Sequence, residues 1–194
     1  MGDNFNIDNV DTLICDVQET ELSDISKVIK RMISIKNSQH KPVEKKKRSY
    51  NIVEKIELNN ISKNLALKIK KYHIDSYDIV EEALQCISEY EISIEKDLFD
   101  YYWGVYIDVL IEFEIDVDDH MKIKEKSDEI YMRIIKKIQL QIFAGKISDI
   151  PINKRVTYVE AITSYIFYKC KFLIPISDLS SWTIKEKEGR EKCL

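Results

Sequence analysis

LFDYYWGVYIDVLIEFEI, residues 98–115, is the stretch on which the fold turns. A helix drawn from about Ile94 to Ile115 carries Leu98, Phe99, Tyr102, Trp103, Tyr106, Val109, Leu110 and Phe113 around most of its circumference. Helices that are apolar on nearly every side belong inside a bundle, so this one is expected to be the buried central helix of an all-α fold. Burying side chains of this size contributes about 1.5–3 kcal/mol each before entropy is counted. Losing Trp103 or Phe113 from such a core is expected to cost roughly 3–5 kcal/mol.

One stripe of the same helix departs from the pattern. Asp97, Asp100, Gly104, Asp108 and Glu112 follow at spacings of three, four, four and four, so they share a face. A mid-helix glycine costs about 1 kcal/mol relative to alanine, and it permits close approach of another helix or a ligand. Three readings compete for this acidic seam. It is a solvent-facing stripe; or a docking groove whose acids are answered by Lys122, Lys126 and Arg133 or by a partner; or a metal or acid–base site. The last lacks the Glu-x-x-His pairs that di-metal bundles place on facing helices. Trp103-Gly104 also resembles the Trp-Gly pair of the helical apoptosis-regulator family. That resemblance is confined to one short segment, with Val105 where the family has arginine and no second family motif downstream. It implies a bundle presenting a groove to a partner helix.

Outward toward the N-terminus, Ser76 is expected to cap a helix with the stripe Val80, Ala83, Leu84 and Ile87. Before it, Leu58, Ile61, Leu65, Ile69 and Tyr72 line one face of another, with Asn60 as N-cap. The alternating run NIVEKIEL, residues 51–58, reads as extended chain leading into that helix. Residues 38–51 hold Pro42 and the basic block Lys45-Lys46-Lys47-Arg48, a linker pattern. This block is a solvated segment, the meeting point for an acidic partner, or a weak, salt-dependent nucleic-acid patch. Residues 1–37 form an arm whose helical part, Glu21 to Lys36, sets Leu22, Ile25, Ile29 and Met32 on one stripe. A stripe of about two heptads is marginal alone and needs a partner surface.

Outward toward the C-terminus, Asp116, Asp118, Asp119 and His120 cluster at a helix junction. They are weak candidates for a divalent cation, although acids at a helix start also complement its dipole. A helix from about Val117 to Phe143 carries Ile130, Ile134, Ile138 and Ile142 at strict i+4 spacing, with Gly145 as its C-cap. Asn153 is placed to cap a fifth body helix bearing Val159, Ile162, Ile166 and Cys170, ended by Pro175. The domain plan is therefore arm 1–37, basic linker 38–51, helical bundle 52–175 of about five helices, and polar tail 176–194. Trp182 stands alone in that tail as an interaction anchor or a residue docked back on the bundle.

Composition agrees with this plan. The chain has 194 residues, 44% hydrophobic and 33% charged, with only 4 Gly and 3 Pro. Scarce turn residues favour few, long elements. A net charge of −4 argues against a dedicated nucleic-acid binder, which is usually basic. The four cysteines, Cys15, Cys86, Cys170 and Cys193, form no CxxC pair and no disulfide framework. No apolar signal segment opens the sequence, and no uncharged run reaches the roughly 18 residues of a membrane span. A cytoplasmic, non-membrane protein is expected, without a cofactor.

Catalytic motifs are lacking: the four glycines are isolated, and none of the three histidines lies next in sequence to a serine or cysteine. The function expected is therefore non-enzymatic, an interaction or accessory subunit in a hetero-complex or homo-oligomer. The Ile- and Lys-rich composition fits an AT-rich bacterium or phage, for example an antiviral-defence or mobile-element complex. Two alternatives are a viral modulator that binds a host helix in a groove and a metal-dependent nuclease built from Asp100, Asp108, Asp118 and Asp119.

Overall fold

The structure, a computed structural model, describes residues 24–38, 50–144, 150–169 and 172–176. These residues form seven helices and no strand. They are α1 (24–37), α2 (Tyr50–Leu58), α3 (Lys63–Ser88), α4 (Ile94–Glu112), α5 (His120–Glu125), α6 (Ser127–Ala144) and α7 (Ile152–Tyr168). The all-α class is the one expected. No helix among the described residues is long and apolar enough to cross a membrane.

The buried helix is α7, not α4. Every residue from Tyr158 to Phe167 is buried, whereas on α4 Trp103 is 47% and Ile111 68% exposed. The sequence hides this because α7 carries Glu160, Thr163 and Ser164, which look like a solvent face. Each is satisfied internally instead. Glu160 takes a 2.5 Å ion pair from Lys68 of α3, Thr163 Oγ1 shares a 3.0 Å hydrogen bond with the Tyr102 hydroxyl of α4, and Ser164 donates to the Ala161 carbonyl at 3.0 Å. Buried polar groups persist where they are paired, and here the pairing ties α3 and α4 to one central helix. Tyr131 of α6 closes the other side, edge-on to Phe167 at 5.6 Å. Ile130, Ile134, Ile138 and Ile142 are fully covered, as their spacing predicts.

Five boundaries differ from the sequence reading. Residues 51–58 are helical in α2 rather than extended, because Ile52, Lys55, Ile56 and Asn59 together make a buried helical face. Asn60 ends α2 rather than capping α3. It adopts a left-handed φ of 53°, its N–H reaches the Glu57 carbonyl at 3.0 Å, and the Ile61 N–H reaches Ile56 at 3.1 Å, which is the Schellman arrangement. Ser76 caps nothing, since α3 runs unbroken through it for 26 residues with neither Gly nor Pro to stop it. The long helix expected from Val117 splits into α5 and α6 at Lys126. In α7 the cap position is Pro151, and Asn153 lies inside the first turn. Gly145 and Cys170 lie outside the described residues.

The apolar stripe of α1 is covered by the chain itself: Ile25, Val28, Ile29 and Met32 have no exposed surface. Lys27 fixes α1 against the α3–α4 turn, pairing with Glu91 at 2.8 Å as well as with Asp24 at 3.0 Å.

The polar face of α2 organises the C-terminal part of the fold. Lys55 is fully buried; its Nζ donates to the Phe167 carbonyl at 2.6 Å and lies 4.6 Å above the Phe167 ring. That carbonyl belongs to the last turn of α7, where helical partners run out and a cation complements the dipole. One turn on, Asn59 is also fully buried. Its Nδ2 donates to the Lys55 carbonyl at 2.9 Å and to the Ile174 carbonyl at 3.1 Å, while its Oδ1 accepts from the Ile174 N–H at 2.9 Å. The segment 172–176 is thereby held through both backbone groups of a single residue. Replacing Asn59 with Ala strips those groups of partners in a dry site, at about 1–3 kcal/mol each. Urea denaturation of Asn59→Ala is expected to show a loss of about 2–5 kcal/mol, far above that of a surface substitution.

Candidate functional site

Three segments distant in sequence enclose a recess of about 180 Å³. Trp103 and Tyr106 come from α4; Val117, Asp118, His120 and Ile123 from the α4–α5 turn and α5; Leu173, Ile174 and Pro175 from the segment fastened by Asn59. Local backbone features shape each wall. Glu114 ends α4 with a left-handed φ of 54°, and the Ile115 N–H returns to Leu110 at 3.0 Å. Asp116 Oδ1 then accepts from the Asp118 N–H at 3.0 Å, tightening the turn. Asp119 caps α5 by accepting from the Lys122 N–H at 3.1 Å, and this hydrogen bond is the main cause of its lowered carboxyl pKa. Leu173 is left-handed at φ 57°, a strained setting for a leucine, and its backbone meets the Tyr106 hydroxyl. Burial pushes that hydroxyl's pKa upward, so it stays protonated.

The floor of the recess is continuous with the core. Trp103 packs on Tyr106 at 5.5 Å, Tyr106 on Phe172 at 6.3 Å, and Phe172 on both Tyr131 and Phe167 at 5.6 Å. Trp103 is the open end of this ring chain. It is half-exposed at the mouth, with the lining residue Val117 also exposed. The expectation that Trp103 is core is therefore corrected: α4 turns it toward the recess instead of toward α7. Trp103→Ala is expected to cost less than about 1.5 kcal/mol, against about 3–5 kcal/mol for Phe167→Ala at the buried end of the chain, read from paired chemical denaturation curves.

The acidic seam on α4 faces outward. Asp100, Gly104, Asp108 and Glu112 are exposed and Asp97 is half-buried. A Cβ added at Gly104 would meet nothing within 4 Å, so no element among the described residues uses the close approach that glycine allows. Asp100 pairs with Lys96 at 2.5 Å along the helix. Only Glu112 is answered from α6, by Lys137 at 2.6 Å and Arg133 at 3.7 Å. The hydrogen bond from Lys137 is the main reason its pKa is lowered. Lys122 and Lys126 are engaged elsewhere, with Asp119 at 3.2 Å and Glu129 at 3.1 Å. Among the described residues no three metal-binding side chains gather, in the Asp116–His120 cluster or elsewhere. The structure does bring Trp103 together with Asp118 and His120, which no spacing rule connects. Leu22, Trp182 and the basic block Lys45, Lys46, Lys47 and Arg48 lie outside the described residues.

One buried titratable group escaped sequence reasoning. His73 of α3 is 4% exposed, edge-on to the Tyr77 ring at 5.2 Å and tilted against the Tyr168 ring at 4.6 Å, and its Nδ1 has no hydrogen-bond partner among the described residues. Burial lowers its pKa from 6.5 to about 4. The folded protein therefore keeps His73 neutral where the unfolded chain binds a proton. Stability is unaffected above pH 6.5 and falls as the pH drops toward 4, by up to about 3 kcal/mol from this group. Denaturation of His73→Phe across that range is expected to show a shallower acid slope than the unsubstituted chain.

No protein-family model, curated protein or solved structure matches this chain.

Proposed function

We propose that this chain is a non-enzymatic helical subunit of a hetero-complex and that the recess beside Trp103 receives a side chain of its protein partner. The half-exposed Trp103 at the mouth of an aromatic-floored recess carries this reading. Tryptophan is enriched among the residues that dominate interface energetics, where it sits in packed pockets. Size supports the same choice: small-molecule and cofactor pockets run to about 300–1,000 Å³, and about 180 Å³ suits one apolar side chain instead. Val117, which also lines the recess, is exposed beside it.

The test is mass measurement of the chain co-expressed with the products of neighbouring genes. A complex is expected that Val117→Asp dissolves and Leu67→Asp, an exposed α3 position outside the recess, leaves intact. A monomer that associates with none of those products, or a complex equally sensitive to both substitutions, overturns the reading.

A further inference from the structure

We infer that the recess selects a basic polypeptide segment, in which one bulky aliphatic or aromatic side chain enters beside Trp103 and neighbouring lysines or arginines meet the carboxylates of the α4–α5 turn. This inference rests on the interaction reading above and specifies its partner. The turn from Phe113 to His120 holds Glu114, Asp116, Asp118 and Asp119 and no lysine or arginine. Of these acids, Asp119 is answered by Lys122 at 3.2 Å. No cation among the described residues comes within ion-pair distance of Glu114, Asp116 or Asp118. All three are exposed, and Asp118 itself lines the recess.

On α5, which follows the turn, Lys122 is held by Asp119 and the C-cap Lys126 by Glu129, and Lys124 makes no ion pair with the turn's carboxylates among the described residues. On α6, Lys137 and Arg133 are held by Glu112 at the C-terminal end of α4. A recess that sets Trp103, Val117 and Ile123 beside uncompensated negative charge is complementary to an apolar anchor with positive flanks, and like-charge juxtaposition disfavours acidic segments. The same charge disfavours nucleic acid: a base stacked on Trp103 would bring its phosphates toward Asp116 and Asp118, where protein cations normally stand. Charge complementarity of this kind acts across a partly solvated rim, so salt weakens it.

The experiment is selection from a random-peptide phage library on the full-length chain, followed by fluorescence anisotropy of the enriched peptides. Enriched peptides are expected to carry one Leu, Ile, Met or Phe among lysines and arginines. They are expected to bind about tenfold or more weakly to Asp118→Lys, and to lose binding to Val117→Asp while circular dichroism stays unchanged. Peptides that require Val117 but are neutral or acidic overturn the basic-partner inference and leave the recess reading standing. Enriched peptides indifferent to Val117→Asp, or no enrichment, overturn both. Preferential binding of a fluorescent single-stranded oligonucleotide, abolished by Trp103→Ala, overturns both in favour of nucleic acid.

Discussion

The Asn59 carboxamide holds the C-terminal part of this structure in place. It satisfies the N–H and the C=O of Ile174 at once, and it does so from the end of a nine-residue helix. Short helices have little stability of their own, so α2 persists through what it binds. Lys55 adds the second attachment by taking up the Phe167 carbonyl where α7 ends. The two contacts act in register: one finishes the central helix and the next fixes the chain just beyond it. Phe172 then drops into the ring cluster with Tyr106, Tyr131 and Phe167, and Leu173 to Pro175 become a wall of the recess. Without that fastening the recess has two sides rather than three.

Part of this was legible in the residues. The i+4 isoleucines of α6, Ile25, Ile29 and Met32 of α1, and Leu65, Ile69, Val80, Ala83 and Leu84 of α3 are buried as periodicity requires, because a single apolar face leaves only one way to pack. The density of large side chains in α4 was legible too, but its meaning was not. Apolar composition says that a helix touches other elements, not that it lies at the centre. Centrality went to α7, whose Glu160, Thr163 and Ser164 look like solvent-facing residues until Lys68, Tyr102 and the Ala161 carbonyl are seen beside them. Pairing across elements has no local signature, and a helix with internal polar residues is read as amphipathic.

The same limit governed the candidate site. Trp103-Gly104 and the Asp116–His120 cluster each stood out, yet nothing in their spacing joins them. Closure of α4 onto α5, and of both onto residues 173–175, joins them in space. Two of the local choices that achieve closure, Glu114 and Leu173, adopt left-handed backbone without being glycine, so no composition rule marks them. His73 was overlooked for a related reason. A histidine near lysines and tyrosines on a long helix looks ordinary until Tyr168 of α7 covers it.

The fastening at Asn59 has an evolutionary corollary. It grips Ile174 through the main chain alone, so it is blind to the side chains on either side. Among the described residues, no side-chain hydrogen bond or ion pair from Val117, Asp118 or Pro175 fastens the wall. Their identities are free to change while the backbone that presents them stays where it is. A fixed frame with interchangeable facing residues is how antibody loops diversify on a constant scaffold. In this fold, the chemistry presented at the recess can change by exchange of a few rim residues, without renegotiating the core.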